Sequence, residues 1–399
     1  MVKIFLKRSR EESLERFHPW IFSGAIQRIE GSPAEGELVA VYSFDGKLLG
    51  TGHYQSGSIA VRILEFGTDK LSDRFWIEKL LASYNFRRKL GLTESSTTNA
   101  YRLVHGEGDM LPGLVIDIYD DTAVLQAHSA GIYLVRNQIS DALLELYGGK
   151  LRAVYDKSSG TVPSREIFNP VDAYLFGEKA TPATILENGK IFNVDWCHGQ
   201  KTGFFLDQRD NRALMEHYAK NRNVLNLFCY TGGFSIYALA AESTSVASVD
   251  SSRSAVELLE KNVELNRQSG IISKEALHKS FCTDAVEYMK SEGKEIYDLI
   301  VVDPPAFAKH KSALSNALRA YQRLNAAAID KVAHGGIIFT FSCSQVVDKI
   351  SFAQTIFSAA AETGRAVRIL HRLAQAPDHP VNIYHPEGEY LKGLVLFVE

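Results

Sequence analysis

A thiol and a carboxylate stand at the ends of two apolar runs forty positions apart. Cys343 closes Ile337-Ile338-Phe339-Thr340-Phe341-Ser342-Cys343-Ser344, and Asp303 opens Asp303-Pro304-Pro305-Ala306-Phe307 behind an equally apolar stretch. In a doubly wound sheet, ligands collect beyond the carboxyl ends of the strands. A thiol and a carboxylate delivered there can face one another across a pocket, the geometry needed to activate a flat, electron-poor ring by covalent attack. The prolines stiffen the turn after Asp303 and remove backbone donors, leaving carbonyls to face a base edge. The other cysteines, Cys197, Cys229 and Cys282, fit small buried thiols.

A second group of residues suits a nucleotide-like ligand. Val224-Leu225-Asn226-Leu227-Phe228-Cys229-Tyr230-Thr231-Gly232-Gly233-Phe234 reads as strand, turn and helix start, with glycines where a ligand must approach the backbone. It is not GxGxxG, which argues against a dinucleotide dehydrogenase. Asp250 ends the next strand, eighteen residues after Gly232, where a ribose diol would be held. Asp284, after the third strand, could accept from an adenine amino group, or be simply solvated. Upstream, residues 199 to 212 mix glycine, Phe204, Phe205, Gln208 and charges in a stretch that makes poor core and poor linker. It fits a lid over the cofactor, with Arg209 or Lys201 near a carboxylate, and equally a helix N-terminus with ordinary surface charge.

These groups need a parallel sheet. From residue 224 onward, strands at 224 to 228, 246 to 249, 277 to 281, 299 to 302 and 337 to 341 alternate with helices from 233, at 253 to 266, near 318 to 332 and at 352 to 363. Strands at 367 to 371 and 391 to 398 follow. Such alternation predicts βαβ units. Residues 1–75 read as short strands with turn punctuation: 3 to 7, 25 to 29, 38 to 42, 48 to 54 and 59 to 64. Residues 76–184 read as a connecting helix, over about 74 to 90, and a small α+β domain with strands at 114 to 119 and 123 to 127, a helix at 132 to 146 and extended runs at 153 to 156 and 171 to 176. Residues 185–399 form the α/β domain. The fold class is therefore α/β with an N-terminal β-rich module.

The 399 residues carry a net charge of -3, so the whole chain is no polycation and nucleic-acid contacts must be local. Between positions 3 and 28, Lys3, Lys7, Arg8, Arg10, Arg16 and Arg28 outnumber Glu11, Glu12 and Glu15, with His18-Pro19-Trp20 among them. A basic edge carrying aromatics suits a phosphate backbone with unstacked bases; the same residues also fit a solvated face around a buried Trp. Arg87-Arg88-Lys89 is a second basic cluster. Cysteine spacings of 32, 53 and 61 exclude the usual thiolate zinc patterns, so no metal is expected. No signal peptide or membrane span is apparent, which places the chain in the cytoplasm.

With these residues assembled, the chain resembles the RlmI-type 23S rRNA cytosine-C5 methyltransferases over nearly its full length. The carrying segments are His18-Pro19-Trp20-Ile21-Phe22-Ser23-Gly24, Lys201-Thr202-Gly203, Asp207-Gln208-Arg209, Tyr230-Thr231-Gly232-Gly233, Asp303-Pro304-Pro305, Phe341-Ser342-Cys343-Ser344, Asp378-His379-Pro380 and Pro386-Glu387-Gly388 through Tyr390-Leu391-Lys392-Gly393. The resemblance implies an N-terminal PUA domain, a middle domain and a Rossmann-like class I methyltransferase domain. It implies S-adenosyl-L-methionine held by Phe205, Gln208, Arg209, Phe228, Tyr230, Thr231, Gly232, Gly233, Asp250 and Asp284. Cys343 would add to C6 of cytosine and Asp303 would hold its N3 and N4 edge, with Glu387 a weak candidate for the base that takes the C5 proton. Ribosomal RNA (23S) would be the partner, met by Lys7, Arg8, Arg10, Trp20, Lys309 and Lys311; a homodimer is compatible with the family but has no signal in these residues. Ala306 stands where relatives often carry a basic residue, although Lys309, His310 and Lys311 follow. A uracil-C5 methyltransferase would carry Asn-Pro after the cysteine, where Ser344-Gln345 stands. An exocyclic-amine methyltransferase would place an aromatic directly after Asp-Pro-Pro and would not need Cys343. A non-catalytic ribosome assembly factor would not need the intact Tyr230 to Gly233 turn, Asp250 and Cys343.

Overall fold

The computed structural model describes residues 1–163, 165–291 and 297–399. The chain divides into two units: Met1–Leu186 with Val194–Leu206 and Pro377–Gly388, and Glu187–Asn193 with Asp207–Ala376 and Glu389–Glu399.

The first unit holds two sheets. Its N-terminal sheet has six strands, in spatial order Trp20–Phe22, Ile59–Phe66, Leu48–Tyr54, Leu38–Tyr42, Val2–Leu6 and Ile26–Glu30. Alternating apolar residues fold inward to a core of Ile4, Leu6, Val39, Val41, Val61 and Ile63. Gly52 is fixed by crowding, since a Cβ there would lie 2.2 Å from the Arg62 carbonyl oxygen. The second sheet has five strands, Ala173–Phe176, Ala153–Asp156, Thr122–Ala127, Leu114–Tyr119 and Ala100–His105, with one parallel pairing, between Thr122–Ala127 and Ala153–Asp156. The helix Phe75–Lys89 contributes Phe75 and Leu80 to this second core. The strands Trp20–Phe22 and Ala100–His105 were not expected, and the helix expected at 132 to 146 is two helices, Ala130–Leu134 and Arg136–Tyr147.

The second unit is built on a seven-stranded sheet: β1 (Asn223–Leu227), β2 (Ser245–Asp250), β3 (Leu277–Cys282), β4 (Tyr297–Val302), β5 (Val332–Ser342), β6 (Val367–Leu373) and β7 (Lys392–Val398). Their spatial order is β3-β2-β1-β4-β5-β7-β6. The first five are parallel and β7 runs antiparallel to both neighbours. The helices are α1 (Arg209–Ala219), α2 (Gly233–Ala240), α3 (Arg253–Gln268), α4 (Ala285–Ser291), α5 (Leu314–Lys331) and α6 (Lys349–Thr363). Parallel strands covered on both faces are largely apolar, and the core holds Leu225, Leu227, Val249, Ile300, Val302, Ile338 and Leu396, whereas the edge strand β3 is part-exposed. The order reverses at β1, which pairs with both β2 and β4. That is the switch point at which an open α/β sheet leaves a crevice for a ligand.

Candidate active site

The turn leaving β1 is shaped by backbone that few side chains tolerate. Phe228 and Tyr230 sit at φ 57 and 47, and Gly232 at φ 87. A Cβ on Gly232 would also meet Leu259 Cδ1 at 2.8 Å, so space and conformation both demand glycine. The turn is tied down from outside. Tyr230 N donates to Asp250 Oδ2 at 2.9 Å, Ser252 N donates to Asp250 Oδ1 at 2.9 Å, and Asn262 Nδ2 donates to the Thr231 carbonyl at 2.9 Å. Asp250 thus braces two loops with one lone pair on each oxygen and keeps further acceptor capacity. Thr231 Oγ1 is buried without a hydrogen-bond partner, a polar atom of the kind that a bound polar ligand would satisfy. Asp284 is exposed and caps α4, its Oδ1 accepting from Val286 N and Glu287 N at 2.8 and 3.1 Å.

Behind this turn lies a buried ion pair. Arg212, on α1, donates Nε and Nη2 to the two carboxylate oxygens of Glu187 at 2.7 Å each, and Tyr237 Oη donates to Glu187 Oε1 at 3.1 Å. Arg212 is 3% exposed and Glu187 0%. The arginine stem lies directly under Gly233, where a Cβ would be 3.0 Å from Arg212 Cδ. Arg209 is buried as well, so the two arginines of α1 are not the ordinary surface charge that the sequence also allowed, whereas Asp210 is.

Asp303 follows the last residue of β4, and Val302 pairs in parallel with Thr340 of β5, three residues before Cys343. The carboxylate and thiol therefore leave adjacent strands on the same edge of the sheet. Gln208 Nε2 donates to Asp303 Oδ2 at 2.9 Å, and Asn211 Nδ2 donates to Gln208 Oε1 at 2.6 Å, fixing which end of the amide faces the carboxylate. Burial pushes the Asp303 carboxyl up to about 7; neighbouring Asp207 adds to the rise, and Gln208 and Arg212 oppose it. Asp303 is thus poised to hold or release a proton near neutrality. Cys343 is half-buried, with Sγ 3.9 Å from the Pro304 carbonyl.

Lys392, at the start of β7, is a member of this site that sequence reasoning passed over. It is 3% exposed, and its Nζ donates to the carbonyls of Ser344 and Tyr390 at 2.6 and 2.7 Å. Burial pulls its pKa down to about 8, and the charge of Cys343 works in the other direction. A buried ammonium tied to the residue after the cysteine favours the thiolate. The available signal was a lysine opening the otherwise apolar run Gly393-Leu394-Val395-Leu396-Phe397-Val398.

Other expected site residues fall in the first unit or on the surface. Phe205 is half-buried in the Val194–Leu206 segment. Lys7, Arg8 and Arg10 are exposed, as are Lys309 and Lys311 of the second unit. Lys7 Nζ donates to the Gly24 carbonyl, and Arg8 lies over the Phe44 ring. A cavity of about 410 Å³ in the N-terminal module is lined by Arg10, Ser13, His18, Trp20 and Phe22. Trp20 is drawn inward more than a stacking platform would be: its Nε1 donates to Glu107 Oε1 at 2.8 Å, and its ring meets His385 edge-on. Arg87 corrects the basic-cluster reading, because it is fully buried and bridges Asp109 and the carbonyls of Arg102 and Asp378, leaving Arg88 and Lys89 exposed. Cys282 is exposed and Cys197 half-exposed, so only Cys229 is the buried thiol expected of all three. Glu387 lies in the first unit, 3.7 Å from His18 Nε2.

Comparison with known proteins gives this geometry its family. A family model for S-adenosylmethionine-dependent methyltransferases matches residues 164–392, and one for PUA-like domains matches residues 4–66. Ribosomal RNA large subunit methyltransferase I of Aeromonas hydrophila is 40% identical over 397 residues, covering 98% of each chain; that of Tolumonas auensis is 39% identical over 396 residues, again 98% of each. A solved structure described as a SAM-dependent methyltransferase from Streptococcus mutans superposes with a TM-score of 0.83 at 25% identity, covering 100% of both chains, and a methyltransferase complexed with SAH matches with the same values. The glycine cradle, the unsatisfied Thr231 hydroxyl and Asp250 at the sheet's switch point fit S-adenosylmethionine as cofactor. The chain belongs to the S-adenosylmethionine-dependent methyltransferases, in the family of the ribosomal RNA large subunit methyltransferase I enzymes.

Proposed function

We propose that the chain makes 5-methylcytidine in large-subunit (23S) ribosomal RNA through a covalent adduct on Cys343. The observation that carries this reading is the delivery of Cys343 and Asp303 from adjacent parallel strands on one edge of the sheet, with Lys392 beside the thiol. Cytosine C5 is a weak nucleophile until the Cys343 thiolate adds to C6 and turns the ring into an enamine. Asp303 shares a proton with N3 and accepts from the N4 amino group, which its near-neutral pKa allows. Gln208 and Asn211 hold that carboxyl in place. S-adenosylmethionine would be held by the turn from Phe228 to Gly233 with Asp250, Arg209 and Asp284, and would supply the sulfonium methyl group to which C5 bonds as the methyl–sulfur bond breaks and S-adenosylhomocysteine leaves. After a base removes the C5 proton, the C6–S bond breaks and Cys343 leaves as thiolate.

Residues 1–75 bind RNA in this reading, residues 76–184 form the middle domain and residues 185–399 perform catalysis. The exposed Lys7, Arg8 and Arg10 beside the N-terminal cavity, with Lys309 and Lys311, support phosphate contacts. Among the described residues no helix is long and apolar enough to cross a membrane, and we assign the reaction to the cytoplasm. Mass analysis of nucleosides from unmodified ribosomal RNA treated with the enzyme and S-adenosylmethionine tests the proposal. It predicts 5-methylcytidine; 5-methyluridine, an N-methylated base or no product would overturn it.

A further inference from the structure

We propose that His18, His385 and Glu387 form a zinc site that clasps the segment near residue 385 to the N-terminal β-module. His18 Nε2 and His385 Nε2 lie 3.7 and 3.9 Å from Glu387 Oε2, and one ligand atom from each of the three residues falls within 4.8 Å of the others. The independent observation is His385. It is 3% exposed, yet neither ring nitrogen has a hydrogen-bond partner. Leaving one buried nitrogen unsatisfied is costly and leaving two is rare, unless something unseen in the protein chain itself satisfies them.

The surroundings suit a cation held by imidazole. Trp20 packs edge-on against His385 with ring centroids 4.3 Å apart, and its Nε1 is occupied by Glu107, so it fixes the imidazole without competing for it. His18 Nδ1 lies 3.2 Å from the Trp20 N and 3.4 Å from the Trp20 carbonyl. With a metal on Nε2, Nδ1 carries the ring proton and donates to that carbonyl, the outer contact that orients most ligating histidines, and gives up the hydrogen bond that it otherwise accepts from Trp20 N. Two imidazoles and one carboxylate select zinc over magnesium or calcium, which take oxygen ligands. Tetrahedral bonds of about 2.0–2.1 Å separate ligand atoms by roughly 3.4 Å, so the two contacts to Glu387 close by a few tenths of an ångström and the imidazole nitrogens, within 4.8 Å of one another, by at most about 1.4 Å. Glu387, whose side chain is 54% exposed, has the freedom to follow the two rings as they close. The cavity lined by His18 and Trp20 gives an entry path, and water completes the coordination. Cysteine spacing could not disclose such a site, because it uses no thiol and its histidines are separated by most of the chain.

The test uses the full-length protein, stripped with a chelator and titrated with Zn²⁺ by calorimetry. One equivalent should bind, and Glu387→Gln should weaken binding at least about ten-fold, since even an outer-shell partner is worth roughly 10–100-fold in metal affinity. His385→Phe should abolish it. Glu387→Gln changes an exposed group, so a folding failure of the His385 variant would leave the test intact. Substituting Co²⁺ should give a d–d spectrum with no thiolate charge-transfer band. Absence of stoichiometric binding, equal affinity in wild type and Glu387→Gln, or a thiolate band would overturn the proposal.

Discussion

Replacing Asp303 with Asn removes a carboxyl that burial has pushed from 3.8 up to about 7. A group with a raised pKa holds its proton more tightly in the folded state than in the unfolded one. The unfolded chain therefore releases that proton first, and the native state loses relative stability as pH rises from about 4 to about 7, then changes no further. Three pKa units correspond to about 4 kcal/mol. Asp303 keeps part of its surface open, and screening there makes this an upper bound, with about 2 kcal/mol the working figure. Asn carries no titration, so the stability of Asp303→Asn relative to wild type should climb by about 2–4 kcal/mol across that window and level off above pH 8. Hydrogen exchange of β4 amides at a series of pH values, corrected for intrinsic exchange, reads this locally without assuming that the two units unfold together. A difference that stays flat across the window would refute the reasoning. Methyl transfer should be lost at every pH, because the amide cannot share a proton with the ring.

Arg212→Leu leaves Glu187 charged and buried without its partner, so it should destabilise the second unit by about 3–5 kcal/mol, whereas adding Glu187→Leu should restore most of the loss; exchange of β1 amides checks both. Lys392→Met should slow alkylation of Cys343 by iodoacetamide at pH 7 by about ten-fold, the effect of one pKa unit. Peptide mass analysis separates this from reaction at exposed Cys282, and an unchanged rate would remove Lys392 from thiol activation. Asp250→Ala should weaken S-adenosylmethionine by about 1–3 kcal/mol in calorimetry, through lost contacts and a loosened turn.

The parallel sheet was legible because its central strands are short apolar runs between amphipathic helices, and the site residues sit where those runs stop. Cys343 and Asp303 could be paired from sequence for that reason. What escaped depends on distant partners. Arg212 and Glu187 look like surface charges until folding buries them together. Arg87 reads as one of three basic residues at a helix end, yet Asp109 draws it inside. Lys392 follows an apparent turn, and its ammonium finds the Ser344 carbonyl, one of its two acceptors, only once the loop after Cys343 folds beside it. The helix Ala285–Ser291 and the paired strands Ala183–Glu187 and Lys190–Val194 were missed because elements this short carry too little periodicity to stand out. His385 and Glu387 lie in a motif whose neighbour His18 comes from the loop before the strand Trp20–Phe22.

The central claim is a bond between Cys343 and C6 of cytosine. RNA carrying 5-fluorocytidine blocks the last step, because fluorine cannot leave C5 as a proton does, and the adduct should persist. Intact-mass measurement of the enzyme incubated with this RNA and S-adenosylmethionine, followed by nuclease and peptide mapping, should find the nucleotide on Cys343, with none on Cys343→Ala. A wild-type enzyme that methylates unmodified RNA yet never forms the adduct, or a Cys343→Ala variant that retains turnover, would contradict the account.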